Sequence, residues 1–183
     1  MRLLIASDAH GDANATRLLR ESYALERPDW VVHLGDMVDG QTANASTSLR
    51  ALLAAAPGPR WLILGNHDEE ALPASEILRV AGQPRASRVL QSDAATLYFL
   101  DRRDWSSVVE SRVNATGPAV WLCYAGSLGG YGRDDAPGAC NATTLPGGCA
   151  RRVRVVDVMP TSIKTWARLA GGARTQERVL WRA

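Results

Sequence analysis

Three times in the first 70 residues an apolar run stops and a cluster of chemistry-bearing side chains begins. Leu3-Leu4-Ile5-Ala6-Ser7 leads into Asp8-Ala9-His10-Gly11-Asp12. Trp30-Val31-Val32-His33-Leu34 leads into Gly35-Asp36-Met37-Val38-Asp39-Gly40. Arg60-Trp61-Leu62-Ile63-Leu64 leads into Gly65-Asn66-His67-Asp68-Glu69-Glu70. Continuous apolar runs of this length read as strands buried on both faces. Asp8, Asp36 and Asn66 are 28 and 30 residues apart, each about one strand-helix unit. Helical spacing fills the gaps: Ala15, Leu18, Leu19 and Tyr23 behind an Asn14 cap, then Leu49, Leu52, Leu53 and Ala56, stopped by Pro57 and Gly58. A third short helix follows Leu72-Pro73, with Gly82 in the stop position. This β-α-β-α-β order predicts parallel strands joined by right-handed crossovers. Ligands bind such sheets beyond the carboxyl ends of the strands, so all three clusters should converge on one edge.

The second half changes character. "TLYFL", "AVWLCY", "RVRVVDV", "SIKTWARL" and "RVLW" are β-rich and separated by Gly, Pro and Asn clusters. Arg152 to Val158 and Ser162 to Leu169 alternate polar with apolar, the pattern of antiparallel, half-exposed strands. With no repeat and no linker, residues 1–183 read as one α/β domain of two stacked sheets flanked by helices.

Composition narrows the function classes. Of 183 residues, 21 are basic and 19 acidic, a net charge of +2 that argues against a nucleic-acid surface. The densest basic cluster, Arg151, Arg152 and Arg154, is explained as well by a solvated strand end. No run approaches the roughly 18 apolar residues of a membrane span. The apolar run after Met1 and Arg2 ends at Ala6, too short for a secretory signal. Of three cysteines, Cys140 and Cys149 bracket a turn-rich loop that a disulfide can close, and Cys123 stands apart. Sequons at Asn14, Asn44, Asn114 and Asn141 arise readily in an Ala-rich chain.

Carboxylate, imidazole and amide oxygens in one place form a mixed donor set that suits Zn, Fe or Mn. Asp36 reads as a bridge between two metals, with Asp8 and His10 on one side and Asn66 on the other. Two ions about 3.5–4 Å apart hold a phosphoryl group and lower the pKa of a shared water. His67 is better placed as general acid on the leaving oxygen, with Asp68 orienting it. Taken singly, the Asp8-Ala9-His10 cluster reads more often as a loop or cap and Gly35 to Gly40 about equally well as a turn, while Gly65-Asn66-His67-Asp68 is already unusual; the order and even spacing of all three favour chemistry. His33, inside the second strand, reads as a packed histidine without chemistry. Asp12 and Asp39 read as turn-fixing residues.

"DAHGD", "GDMVDG" and "GNHDEE" resemble the first three motifs of the calcineurin-like metallophosphoesterases. "LGNHDEEALPASEILRV", "TLYFLDRRDW", "VWLCYAGSLGGYG" and "RRVRVVDVMPTSIKTWARL" resemble the branch holding small plant, fungal and algal purple acid phosphatases. The resemblance implies a four-layer α/β/β/α sandwich, a dinuclear centre of Fe, Zn or Mn, and hydrolysis of phosphate monoesters by a metal-activated water. It implies Asp8, His10, Asp36 and Asn66 as metal ligands and His67 as the acid, with a small phosphate ester or a phosphoprotein as substrate. A secretory or vacuolar location is also implied. The family supplies further histidines in motifs like HxPxPE and GHxH, whereas this chain has none after His67. The sandwich is therefore expected to be incomplete in the middle, with an apparent internal deletion near residues 105–120. One metal rather than two is then expected, unless Asp101, Asp104, Asp134 or Asp135 substitutes. The alternatives are a weakly active or inactive binding module on the same scaffold, and a diesterase or nuclease using the same centre.

Overall fold

The computed structural model describes residues 1–86, 88–91, 96–99, 152–159, 162–169 and 172–181. The chain begins with β1 (Arg2–Ala6), α1 (Ala13–Glu26), β2 (Trp30–His33), α2 (Ala45–Ala55) and β3 (Arg60–Leu62). Next come α3 (Asn66–Ala71), α4 (Ala74–Ala81), β4 (Arg88–Gln91) and β5 (Thr96–Phe99). β6 (Arg152–Val158), β7 (Ser162–Leu169) and β8 (Arg174–Trp181) follow. The main sheet has six strands in the order β3-β2-β1-β6-β7-β8, and β4 pairs with β5 in a separate ribbon.

The expected α/β class and parallel first half are observed: Ile5 lies beside Val32, and Val32 beside Trp61. The second half is antiparallel, as its alternation predicts. Its last three strands do not form a sheet of their own, however. β6 hydrogen-bonds directly to β1, with Leu4 opposite Val155, so β6, β7 and β8 extend the parallel strands into one mixed sheet. The four-layer count, the 105–120 segment, the three cysteines and Asp101, Asp104, Asp134 and Asp135 lie outside the described residues.

Period-2 alternation sorts the strand residues onto two faces. Leu4, Val31, Leu62, Val155 and Trp166 pack with Leu18 and Leu19 of α1, Leu49 and Leu53 of α2, and Ile77 of α4. Leu3, Ile5, Val32, Trp61, Val156 and Val158 form a second cluster on the opposite face. β3 ends the sheet, but its edge is not bare. The buried Gln83 amide accepts from Leu62 N–H at 3.0 Å and donates to Leu62 C=O at 2.6 Å, acting as a one-residue strand.

α1 starts two residues earlier than an Asn14 cap would place it. Asp12 is the cap, accepting from the Asn14 N–H at 2.7 Å. At its other end the fully buried Glu26 carboxylate faces Arg2, Arg168 and Arg174 and accepts from the Trp166 indole N–H at 3.2 Å. This buried charge ties α1 to β1, β7 and β8, and its arginines offset the cost of burial.

His33 is packed, as its place in a strand suggests. It is 1% exposed, beside Ala6 and Leu62, and neither ring nitrogen has a partner among the described residues. Burial, then nearby Arg60, pushes its pKa down to about 4 from 6.5. As pH falls below 6.5 the unfolded chain takes up a proton that folded His33 refuses. Stability is therefore lost between about pH 6.5 and 4, by about 3 kcal/mol in total. The midpoint of urea unfolding should fall across that window, and less steeply for His33→Leu. Parallel pH profiles for the two chains would rule out this role.

Candidate metal centre

Pairing between β1 and β2 carries on past the strand ends. Leu34 N–H donates to Ala6 C=O (2.8 Å), Asp8 N–H to Gly35 (3.1 Å), His10 N–H to Asp36 (3.0 Å) and Gly11 N–H to Met37 (2.8 Å). The first two clusters are thereby laced backbone to backbone. Asp8, His10 and Asp36 all lie in the left-handed region, with φ of 55°, 47° and 54°. Asp, Asn and His visit this region more readily than other side chains, yet the conformation still costs about 1–3 kcal/mol per residue. Three such residues together are better explained by what their side chains do than by turn-making, where glycine would suffice.

Those side chains converge. One ligand atom from each of Asp8, His10 and Asp36 lies within 4.8 Å of the other two, a grouping that a small shift of the side chains would close around one ion. Asp8 also accepts from its neighbour, the Ser7 hydroxyl. His10 Nδ1 is 3.2 Å from Asp39 Oδ2. An ionised carboxylate only accepts, so Nδ1 carries the proton and Nε2 of the neutral ring carries the lone pair a metal requires. Burial opposes ionisation of Asp39, but hydrogen bonds from Thr42, Gln41 and His10 outweigh it and hold the carboxyl below its ordinary value. Asp39 does fix its turn, accepting from Gln41 N–H and the Thr42 hydroxyl at 2.9 Å each. It orients His10 as well, which the sequence reading missed.

The third cluster meets the second through glycine. A Cβ on Gly65 would lie 2.0 Å from Asp36 Oδ1, and one on Gly35 would lie 2.6 Å from Gly65 N. Asn66 is the exposed first residue of α3, directly after this contact. His67 N–H donates to Asp36 Oδ1 at 3.1 Å, and its ring sits edge-to-face on His10 with centroids 5.1 Å apart. His67 Nδ1 is 2.9 Å from Glu70 Oε2. Glu70 rather than Asp68 therefore orients His67. The i, i+3 spacing was the available signal, since those positions share a helix face. Asp68 is 0% exposed and points the other way, accepting from Asp36, Met37, Val38 and Gly65 N–H groups at 2.8–3.0 Å. Desolvation pushes its pKa up to about 6 against the pull of those bonds, with Asp36 adding to the rise.

Vps29 from Chaetomium thermophilum superposes with a TM-score of 0.58 at 10% identity, over 100% of both chains. The phosphoesterase YfcE from E. coli gives 0.55 at 16% identity, over 98% of this chain and 100% of that one. A predicted phosphoesterase from Streptococcus pneumoniae gives 0.54 at 14%, over 99% and 97%. No curated protein matches. These likenesses establish the fold: a metallophosphoesterase-like α/β architecture. The calcineurin-like phosphoesterase model matches residues 1–145, and the chain belongs to that family.

Gly65→Ala puts a methyl group where the Asp36 carboxylate stands, so something must shift. The variant is expected to keep its circular dichroism spectrum but lose the rise in Tm that Mn(II) gives the parent chain. An undiminished Mn(II) shift would show that Asp36 does not need this contact.

Proposed function

We propose that the chain is a metal-dependent phosphoric monoester hydrolase, its ion held by Asp8, His10 and Asp36, with Asn66 completing a second position. The observation that carries this reading is the convergence of the three donor atoms within 4.8 Å, on loops whose backbones are turned into the left-handed region to bring them there. The donors fit a borderline ion such as Mn, Zn or Fe. When bound, the ion polarises a phosphoryl oxygen and makes an attacking water more acidic. Asp39, accepting from His10 Nδ1–H, would leave the Nε2 lone pair to hold the ion, and Gly65 leaves room for the Asp36 carboxylate. His67, oriented by Glu70, gives its proton to the leaving oxygen. The resemblance to small purple acid phosphatases supports monoesters over diesters, and the near-neutral charge of +2 argues against a polymeric substrate.

One observation favours a second reading. After His67 the chain has no histidine, so a second ion has few imidazole donors to draw on. A scaffold that holds one ion and acts by binding a partner is the alternative, and fold alone does not choose between the two.

Metal content and turnover separate these readings. Asp36→Asn should lose bound metal measured by elemental analysis, whereas His67→Ala should keep it. With an aryl phosphate and Mn(II), His67→Ala should turn over about 100- to 10,000-fold more slowly than the parent. Weak parental turnover, about 1,000-fold below a two-metal relative, is expected if a second ion's hold on the phosphoryl group is worth about 4 kcal/mol. Full metal content with no turnover on mono- or diesters would favour the binding scaffold.

A further inference from the structure

We infer that Asp68 is a positioning residue for Asp36, presetting the metal-binding loop before any ion arrives. The inference rests on the metal reading above and concerns a residue that touches neither ion nor substrate. Asp68 Oδ1 accepts from Met37 N–H at 2.8 Å and Val38 N–H at 3.0 Å, and Oδ2 from Asp36 N–H at 2.8 Å and Gly65 N–H at 3.0 Å. Three successive amides aimed at one point make a nest of the kind that elsewhere receives a bound anion. Here the chain fills the nest with its own carboxylate, so those amides are committed to structure and not to a substrate phosphate.

The consequence falls on Asp36. Its left-handed backbone, φ 54°, is the first residue of the nest. Its side chain is confined by Gly65 and by the His67 N–H. Gly65 and His67 flank Asn66 at the start of α3, the short helix that also carries Asp68. One helical turn thus grips Asp36 by backbone and side chain together. Charge-assisted bonds to four amides are stronger than neutral ones, and only a carboxylate supplies acceptors on both oxygens. Asparagine at 68 would turn an NH2 donor toward two N–H donors and release half the grip.

The test uses the full chain and Mn(II) alone, with free Mn(II) followed by electron paramagnetic resonance. Asp68→Asn should raise the Mn(II) dissociation constant about 10- to 100-fold, the usual effect of losing a residue behind a ligand. Leu19→Ala, a buried cut in α1, should bind as the parent does. Parental affinity in Asp68→Asn, or equal weakening in both variants, overturns the inference. No Mn(II) binding by the parent overturns the metal reading itself. If Asp68→Asn does not fold, amide exchange on the metal-free parent decides instead. The Asp36, Met37, Val38 and Gly65 amides should then be protected before metal is added, and exchange at loop rates would overturn the inference.

Discussion

The parallel hydrogen-bond ladder between β1 and β2 outlasts the strands that start it, and the rest of the site hangs from that continuation. Four amides, from Leu34, Asp8, His10 and Gly11, carry the register into loops that would otherwise wander. Once the register is fixed, Asp8 and His10 have no choice but to face Asp36. Strained φ values at all three are the cost of that placement, and the fold absorbs them through bonds on either side. Gly35 and Gly65 then let the third loop approach to a distance that any side chain would forbid.

Charge is handled in two different ways at the two ends of the sheet. At the site end, Asp8 and Asp36 bring carboxylate oxygens within 4.8 Å of each other and of a His10 ring nitrogen, a donor set that suits a cation. At the far end, Glu26 is buried with arginines already in place. The contrast is informative because both groups are acidic and both sit in tight surroundings. One is a structural anchor with its arginines in place; the other presents its donor atoms together at a strand end.

The strand-end clusters were legible because apolar runs, spacing and residue type all pointed one way, and the convergence of Asp8, His10 and Asp36 follows from topology. The α1 cap was misread because Asp12 and Asn14 are both good caps, and only the backbone chooses between them. The joined sheet was hidden because alternation tells which face a strand residue takes, not which strand lies beside it. The sequence carries no local signal for the Glu26 anchor, since its arginine and tryptophan partners lie up to 148 residues away. Asp68 was assigned to His67 on adjacency alone. A helix points side chains one residue apart in different directions, and α3 sends Asp68 inward while His67 meets Glu70.

The most direct measurement is anomalous scattering from a crystal of the full chain soaked in Mn(II). A single strong peak is expected about 2.0–2.3 Å from an oxygen of Asp8, an oxygen of Asp36 and Nε2 of His10, with His67 still against Glu70. A peak elsewhere, or none at saturating Mn(II), would contradict the claim that the three loops are built around a metal.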